Sequence, residues 1–397
     1  MTATALTAAD VPQEVGLDRA SRLFLFSFVA SLQISIAAAN ILLVGMLACW
    51  GARLVRDRSR PEAPGFFVPL LVYSAATLMS AAFSMDPLES VIDSRQLLLF
   101  LVVPAVYDIA RGSKATTVVD VIVSVGAASA AYGIVQYALL RFGDRGLRPE
   151  GALTHYMTYS GVLTLVICAA TARLVFGTRD RLWPTLVMPA LLVALSLTLS
   201  RGPWVGACVA IGFLLLLKDV RLTALVPVVV ALLFALAPDG VTDRMTSMVN
   251  MQDPTVRDRV AMLRMGTAIV GDHPLTGVGP NMVPRVYAKY RDTGAVEKVN
   301  PHLHNVPMQI AAERGLPALA AWLWFVVVLA QQLFRGFRRD TSKVLPAGGM
   351  AALAAMLAAG LFEYNFGDSE FLTLFLVLCT LPFAAVRDGE AASLDRT

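Results

Sequence analysis

The sequence predicts an all-α membrane protein whose helices cross the bilayer about twelve times. Its 397 residues are 56% hydrophobic and only 16% charged, and the mean hydropathy is +0.64. A soluble globular chain carries about 25% charged residues. The apolar residues fall in stretches of about twenty, the length with which a helix rising ~1.5 Å per residue crosses roughly 30 Å of hydrocarbon.

Twelve such stretches are predicted to span the membrane. They lie at residues 23–38, 40–55, 66–83, 91–110, 118–140, 156–176, 183–200, 203–217, 222–237, 316–334, 345–362 and 370–386. The predicted organisation begins with an N-terminal segment at 1–22 and a transmembrane region of about nine helices at 23–237. A long loop with amphipathic helices follows at 238–315. The chain ends in a region of three transmembrane helices at 316–386 and a tail at 387–397.

Charged residues alternate between the two ends of the predicted spans. Basic clusters fall on one side, in the connections at 53–60, 111–114, 173–181, 218–221 and 335–343. Because cytoplasmic loops are enriched in Lys and Arg, this side and both termini are predicted to be cytoplasmic. The chain is thus expected among the lipids of a membrane, with 238–315 on the non-cytoplasmic side. The net charge of +4 is explained by these clusters, so no nucleic-acid partner is predicted.

The loop at 238–315 holds three of the four histidines, and an ordered loop of this length is usually functional. Asp253 followed by Pro254 predicts an N-cap and the start of a helix that ends near Gly271. One face of this helix is apolar: Val256, Val260, Leu263, Thr267 and Val270. Arg259 falls within that face and Arg264 beside it. A buried guanidinium needs a partner, so Arg259 either pairs with a carboxylate or awaits an anionic ligand.

Four arginines break the charge rule on the external side. Arg141, Arg145 and Arg148 lie between two spans, and Arg201 lies in the turn Ser-Arg-Gly-Pro-Trp at 200–204. A guanidinium binds phosphate with two parallel hydrogen bonds, so several together indicate a diphosphate site. For the first three, contact with lipid headgroups is an equal alternative.

The two neighbouring histidines His302 and His304 are candidates for proton transfer. A metal site is disfavoured because no further ligands follow at a recognisable spacing, and the four cysteines lie in apolar stretches. A neutral imidazole accepts a proton near physiological pH, and Asn305 is close enough in sequence to orient the ring. A general base is therefore the favoured interpretation.

Taken together, these segments resemble the O-antigen ligases of the O-antigen ligase and polymerase superfamily. The distinctive parts are the turn SRGPW, the stretch RVAMLRMGTAIVGDHPLTGVGP from Arg259 and the stretch HLHNVPMQIAAERGLP from His302. RPEGALTHYMTYSGVL from Arg148 is a weaker match. Leu263 and Pro317 stand where the family usually has tryptophan and glycine, and neither departure changes a charged group.

The resemblance implies a membrane-embedded glycosyltransferase of the GT-C type that is inverting and needs no metal or cofactor. It would lie in a bacterial inner membrane with its active site on the periplasmic side. There it would move O-antigen polysaccharide from undecaprenyl diphosphate to a sugar of the lipid A core. His304 matches the family's general base, and Arg201 and Arg259 would bind the diphosphate. Supporting roles fall to the nearby residues His302, Asn305, Arg148 and Arg264.

Three other activities remain compatible with the sequence. An O-antigen polymerase or a protein O-oligosaccharyltransferase would use the same lipid-linked donor and a different acceptor. A transporter of the lipid-linked glycan would also need many helices. It is disfavoured because transporters commonly hold charges near the midplane and show repeated halves.

Overall fold

The computed structural model describes residues 10–140, 147–178, 181–224, 227–228, 231, 242 and 252–394. Within these ranges the chain is helical and contains no strand, as the composition predicted. Before the long loop, the helices α1 to α9 are Asp10–Ser31, Ile36–Arg56, Phe67–Ala82, Pro87–Asp93, Val102–Ile109, Lys114–Leu140, Tyr156–Phe176, Leu182–Leu197 and Arg201–Lys218. After it, α10 to α14 are Pro254–Asp272, Val283–Tyr290, Val306–Arg339, Val344–Gly360 and Ser369–Leu394. Short 3₁₀ segments occupy Ser94–Leu101, Val220–Ala224 and Asn365–Gly367.

By length and composition, seven helical stretches within the described ranges can cross a membrane. They are Ile36–Arg56, Pro87–Ile109, Lys114–Leu139, Tyr156–Phe176, Arg201–Lys218, Val306–Arg339 and Ser369–Val386. Three shorter apolar helices accompany them: Phe67–Ala82, Leu182–Leu197 and Val344–Gly360. The architecture is therefore that of a multi-pass membrane protein. Most of the predicted span at 222–237 lies outside the described residues.

The predicted boundary between the first two spans, near residue 39, is wrong. Helix α1 ends at Ser31 and α2 begins at Ile36. Ser35 adopts an extended conformation and its hydroxyl accepts a hydrogen bond from the Ala38 backbone N–H. This N-cap sets the start of α2, whereas the prediction followed hydropathy and overlooked the cap.

Helix α12 joins the end of the long loop to a membrane span through a kink at Gly315. The backbone there has φ 80 and ψ 171, which favours glycine, and a Cβ would come within 2.2 Å of the Leu275 carbonyl oxygen. Leu316 donates its N–H to the Pro274 carbonyl at 2.8 Å. The loop segment 274–279 is thereby held against the first half of α12.

Close packing of α9 on α13 brings distant parts of the chain together. A Cβ on Gly206 would lie 3.0 Å from the Ala355 carbonyl oxygen, and one on Gly202 would lie 2.8 Å from Cγ of Glu363. The absence of side chains at these glycines lets the two helices approach each other. The start of α9 therefore meets the connection that follows α13.

Helix α10 confirms the predicted N-cap and length, but it packs through a different face. Its buried residues are Asp258, Ala261, Met262, Met265, Gly266 and Ile269. The four apolar side chains among them join Val283 and Val286 of α11 in a small hydrophobic core of the loop. The predicted apolar face is partly open, with Leu263 38% exposed. Tertiary packing chose the neighbouring face because methionine and isoleucine there meet the core of the loop.

Candidate active site

Arg201 is the first residue of α9 and is buried, with 5% of its surface exposed. Its Nη2 and Nη1 lie 2.9 and 3.2 Å from the two carboxylate oxygens of Asp253. Asp253 also accepts hydrogen bonds from the backbone N–H groups of Thr255 and Val256, and so caps α10. Hydrogen bonding to Arg201 holds the pKa of Asp253 well below its usual range. A two-point ion pair thus ties the start of α9 to the start of α10.

Arg259 points from α10 toward the connection after α13. Its Nη2 lies 2.7 Å from Oε1 of Glu363, and its guanidinium carbon lies 5.9 Å from the centre of the Phe362 ring. Burial lowers the pKa of Arg259, and the charge of Glu363 opposes that shift. The carboxylate alternative for Arg259 is therefore observed. A guanidinium has five N–H donors, so this ion pair leaves donors for an anion.

His304 shares the same carboxylate. Its Nδ1 lies 3.3 Å from Oε2 of Glu363, so one glutamate bridges the arginine and the histidine. The backbone of His304 has φ 50, a left-handed conformation that is rare for residues with a side chain and typical of functional sites. The orientation expected from Asn305 comes from Glu363 instead. Asn305 caps α12 by accepting from the Met308 N–H and donates to the Leu361 carbonyl.

The side chains of Arg201, Arg259 and His304 line a cavity of about 410 Å³, which we call the polar cavity. Arg148 also lines it, with its guanidinium 4.5 Å from the ring centre of Tyr156. Asp258 lies in its wall and accepts hydrogen bonds from the Asn300 amide and the backbone N–H of Val296. The lining therefore holds three arginines and three carboxylates, and an anion that enters the cavity meets guanidinium N–H donors.

A second opening, the apolar cleft, has a volume of about 200 Å³ and shares Arg201, Arg259 and His304 with the polar cavity. Its remaining lining is mostly apolar: Val205, Val256, Val260, Leu263, Leu303, Asn305, Leu361 and Phe362. This is the face of α10 that the sequence marked as apolar. Arg201, Arg259 and His304 therefore face the polar cavity on one side and the apolar cleft on the other.

His302 lies beside His304 but faces a different space. The two ring centres are 4.2 Å apart. Burial, reinforced by the neighbouring histidines, lowers the pKa of His302 to about 3, so its imidazole is neutral at physiological pH. His302 lines a third cavity of about 240 Å³, called the inner cavity below.

The structure does not bring every predicted residue into this site. Arg264 is on the surface with 67% of its side chain exposed, and its Nη1 lies 3.7 Å from Asp292. It lines none of the three cavities. Arg141 and Arg145 lie outside the described residues. In the part of the chain that the structure describes, no three His, Cys, Asp or Glu side chains are grouped as metal ligands.

The comparison with known families covers the middle of the chain. Residues 186–323 match the model of the O-antigen ligase family. The family resemblance carried by the motifs is thereby confirmed. No curated protein matches the sequence.

The matched segment runs from α8 into α12 and contains Arg201, Arg259 and His304. The family implies an enzyme of the ligase or polymerase type, with a lipid-linked glycan as donor and a membrane as its setting. Arg148 and Glu363 lie outside the matched segment, yet they face the same polar cavity.

Glu363 is the site residue that sequence reasoning missed. A carboxylate was one of the two alternatives for the partner of Arg259, and no residue was named for it, although Glu363 lies in a connection that is predicted to be external. It lies 104 positions from Arg259 and 59 from His304. Only the packing of α13 against α9, with α10 tied to the start of α9 through Asp253, brings these positions into contact.

Proposed function

We propose that this protein is an O-antigen ligase, which transfers O-antigen polysaccharide from undecaprenyl diphosphate to a sugar of the lipid A core. The observation that carries the proposal is the bridge formed by Glu363 between Arg259 and His304. It couples an anion-binding group to a proton acceptor at the boundary of a polar and an apolar chamber. A reaction between a lipid diphosphate and a sugar hydroxyl needs both groups in one place.

The donor fits the two neighbouring chambers by its chemistry. A diphosphate is a polyanion suited to the polar cavity, where Arg148, Arg201 and Arg259 supply guanidinium groups. The polyprenyl chain is apolar and suits the apolar cleft that opens beside the same two arginines, Arg201 and Arg259. In this arrangement the lipid stays near the bilayer while the glycan reaches the periplasmic side.

The proposed reaction is a single displacement at the anomeric carbon. The acceptor hydroxyl oxygen forms a bond to that carbon as the bond from the carbon to the diphosphate oxygen breaks. The hydroxyl proton passes to His304, whose Nδ1 faces Glu363, so Nε2 is the nitrogen that accepts it. The released undecaprenyl diphosphate gains negative charge, which Arg201 and Arg259 stabilise. Direct displacement inverts the configuration at the anomeric carbon.

Charge stabilisation by arginine would fill the role that a divalent ion plays in other transferases. The proposal therefore includes activity without metal. The acceptor separates this function from its alternatives, since an O-antigen polymerase would extend the glycan on the lipid and a protein O-oligosaccharyltransferase would modify a polypeptide.

Reconstitution in lipid nanodiscs tests the proposal directly. Purified protein receives a lipid-diphosphate glycan and lipid A core in excess chelator, and the product is followed by a shift in electrophoretic mobility. Transfer is expected for the wild type and for His273→Ala, a histidine of the same loop outside the three cavities. His304→Ala should lose transfer by a factor of about 10² to 10⁴ while it still binds the donor. Glycan found on the lipid or on a protein instead would reassign the acceptor.

A further inference from the structure

The inner cavity is not needed for binding the diphosphate or the lipid. It lies among the external ends of α7, α9 and α13 and the connection that leads to α14. It shares Met157, Ser200 and Glu363 with the polar cavity, so the two chambers adjoin. At about 240 Å³ it exceeds by far the roughly 30 Å³ that one water molecule occupies.

Two polar atoms in the lining lack hydrogen-bond partners. Nδ1 of His302 and Oδ1 of Asn365 are both shielded from solvent and bond to no other described residue. A buried polar group without a hydrogen-bond partner destabilises a protein, so such atoms usually have one. The Asn365 oxygen requires a donor, and the neutral His302 ring both donates and accepts. A hydroxyl group serves either partner, because it donates and accepts at once.

The inner cavity lacks the arginines that line the polar cavity. None of the residues that line it is a lysine or an arginine, whereas Glu363 and Asp368 are both present. Asp368 accepts hydrogen bonds from the Thr158 hydroxyl and the Phe371 backbone N–H, which holds it in place. A lining without lysine or arginine offers a phosphate no charged partner, so the inner cavity suits an uncharged group better than an anion. Phe371 adds an aromatic surface to the lining.

We propose that the inner cavity binds one uncharged, hydroxyl-bearing sugar ring of the substrates. This inference rests on the proposed function. Two sources offer such a ring: the acceptor and the sugar that is linked to the diphosphate. The acceptor is favoured by geometry, because inversion requires its hydroxyl to approach from the side opposite the leaving diphosphate. The arginines lie on the polar side, and Glu363 stands between the two chambers.

Two substitutions at separate points of the lining test the binding of sugar. His302→Leu removes an unsatisfied nitrogen, and Thr164→Val removes a hydroxyl from another part of the lining with little change of volume. His273→Leu is the control, since this histidine lies outside the cavities. Initial rates are measured in nanodiscs against acceptor concentration at saturating donor. They are then measured against donor concentration at saturating acceptor.

The KM for the acceptor should rise roughly tenfold in His302→Leu and several-fold in Thr164→Val, as expected for a lost hydrogen bond to a ligand. A rise in the KM for the donor instead would assign the ring to the donor's first sugar. A fall in kcat with both KM values unchanged would show that His302 only supports His304, and would overturn the proposal. Unchanged kcat and KM values in both folded variants would also overturn the proposal.

Binding is measured independently of turnover through the Tm of the purified protein. Core oligosaccharide released from lipid A should raise the Tm of the wild type, and at the same concentration it should raise that of His302→Leu less. Glycan-free undecaprenyl diphosphate should raise both. A wild type that binds the oligosaccharide but transfers no glycan would refute the proposed function and leave the sugar site standing. If the wild type transfers glycan and both variants keep the wild-type KM values and Tm shifts, the sugar site alone is refuted.

Discussion

The carboxylate of Glu363 lies 3.3 Å from Nδ1 of His304 and belongs to a connection 59 positions further along the chain. Its other oxygen holds Arg259 at 2.7 Å. A carboxylate against one imidazole nitrogen fixes the tautomer and stabilises the ring once the second nitrogen has taken a proton. One side chain therefore orients the proposed base and positions a proposed donor-binding arginine.

Replacing Glu363 by glutamine should slow the chemical step. Glu363→Gln keeps the shape of the side chain but removes the charge that stabilises a protonated His304. We expect kcat to fall by about 10²-fold, within the range of general-base effects. The KM for the donor should not rise, because Arg259 loses a competing carboxylate. Steady-state kinetics in nanodiscs measure both values, with the exposed Glu62→Gln as control. Near-normal kcat in a folded Glu363→Gln protein would mean that His304 works without this carboxylate.

Lysine should not replace the two arginines of the polar cavity. Arg201 forms a two-point pair with Asp253, and Arg259 is held by Glu363, so a point charge cannot reproduce the geometry of either. Alanine variants remove a guanidinium contact to the diphosphate, and the loss of one such charged hydrogen bond, about 2 kcal/mol, lowers donor affinity roughly thirtyfold. Lysine variants should recover only a small part of this loss.

Binding of undecaprenyl diphosphate to purified protein measures the effect of these arginine variants. Arg264→Ala is the matched control, because Arg264 lies on the same helix as Arg259 but is exposed and outside the cavities. Affinities for Arg259→Lys equal to those of the wild type would argue against a bidentate phosphate contact. If Arg264→Ala loses as much affinity for undecaprenyl diphosphate as Arg259→Ala does, the effect is a general one of positive charge.

The buried His302 should make the protein less stable in mild acid. Its pKa is about 3 when folded against ~6.5 in an unfolded chain, so below pH 6.5 the unfolded state binds a proton that the folded state does not. Stability is therefore lost as pH falls from about 6.5 toward 3, by up to ~1.4 kcal/mol per pH unit. The Tm measured between pH 7.5 and 4.5 should fall less steeply in His302→Gln than in the wild type. Parallel curves would contradict a neutral, buried His302, and His273→Gln should retain the wild-type slope.

The predicted topology places the arginine-rich connection at 53–60 in the cytoplasm and the loop that carries the site outside. Single cysteines at Ser59 and Lys298, both exposed, test it in a background without the four native cysteines. In intact cells a membrane-impermeant maleimide that passes the outer membrane should label Lys298→Cys and not Ser59→Cys. The reverse pattern would invert the topology and place the site on the cytoplasmic side.

Local sequence patterns determined the parts of this protein that depend on neighbouring residues. The α10 start at Asp253 followed from a capping side chain and a proline at the first helical position, and both were correct. The apolar stretches indicated helices, since backbone groups in hydrocarbon must bond within their own segment. The motifs around Arg201, Arg259 and His304 indicated the family and the candidate site residues.

Tertiary structure alone decided which of these groups meet. Glu363 reaches Arg259 and His304 because small residues such as Gly202 and Gly206 let α9 approach α13. The buried face of α10 was set by the core that it shares with α11, and not by its own periodicity. Capping and hydropathy act over a few positions of the chain, so a sequence pattern records them. Contacts between helices depend on the shapes of both surfaces, and no local pattern encodes the partner.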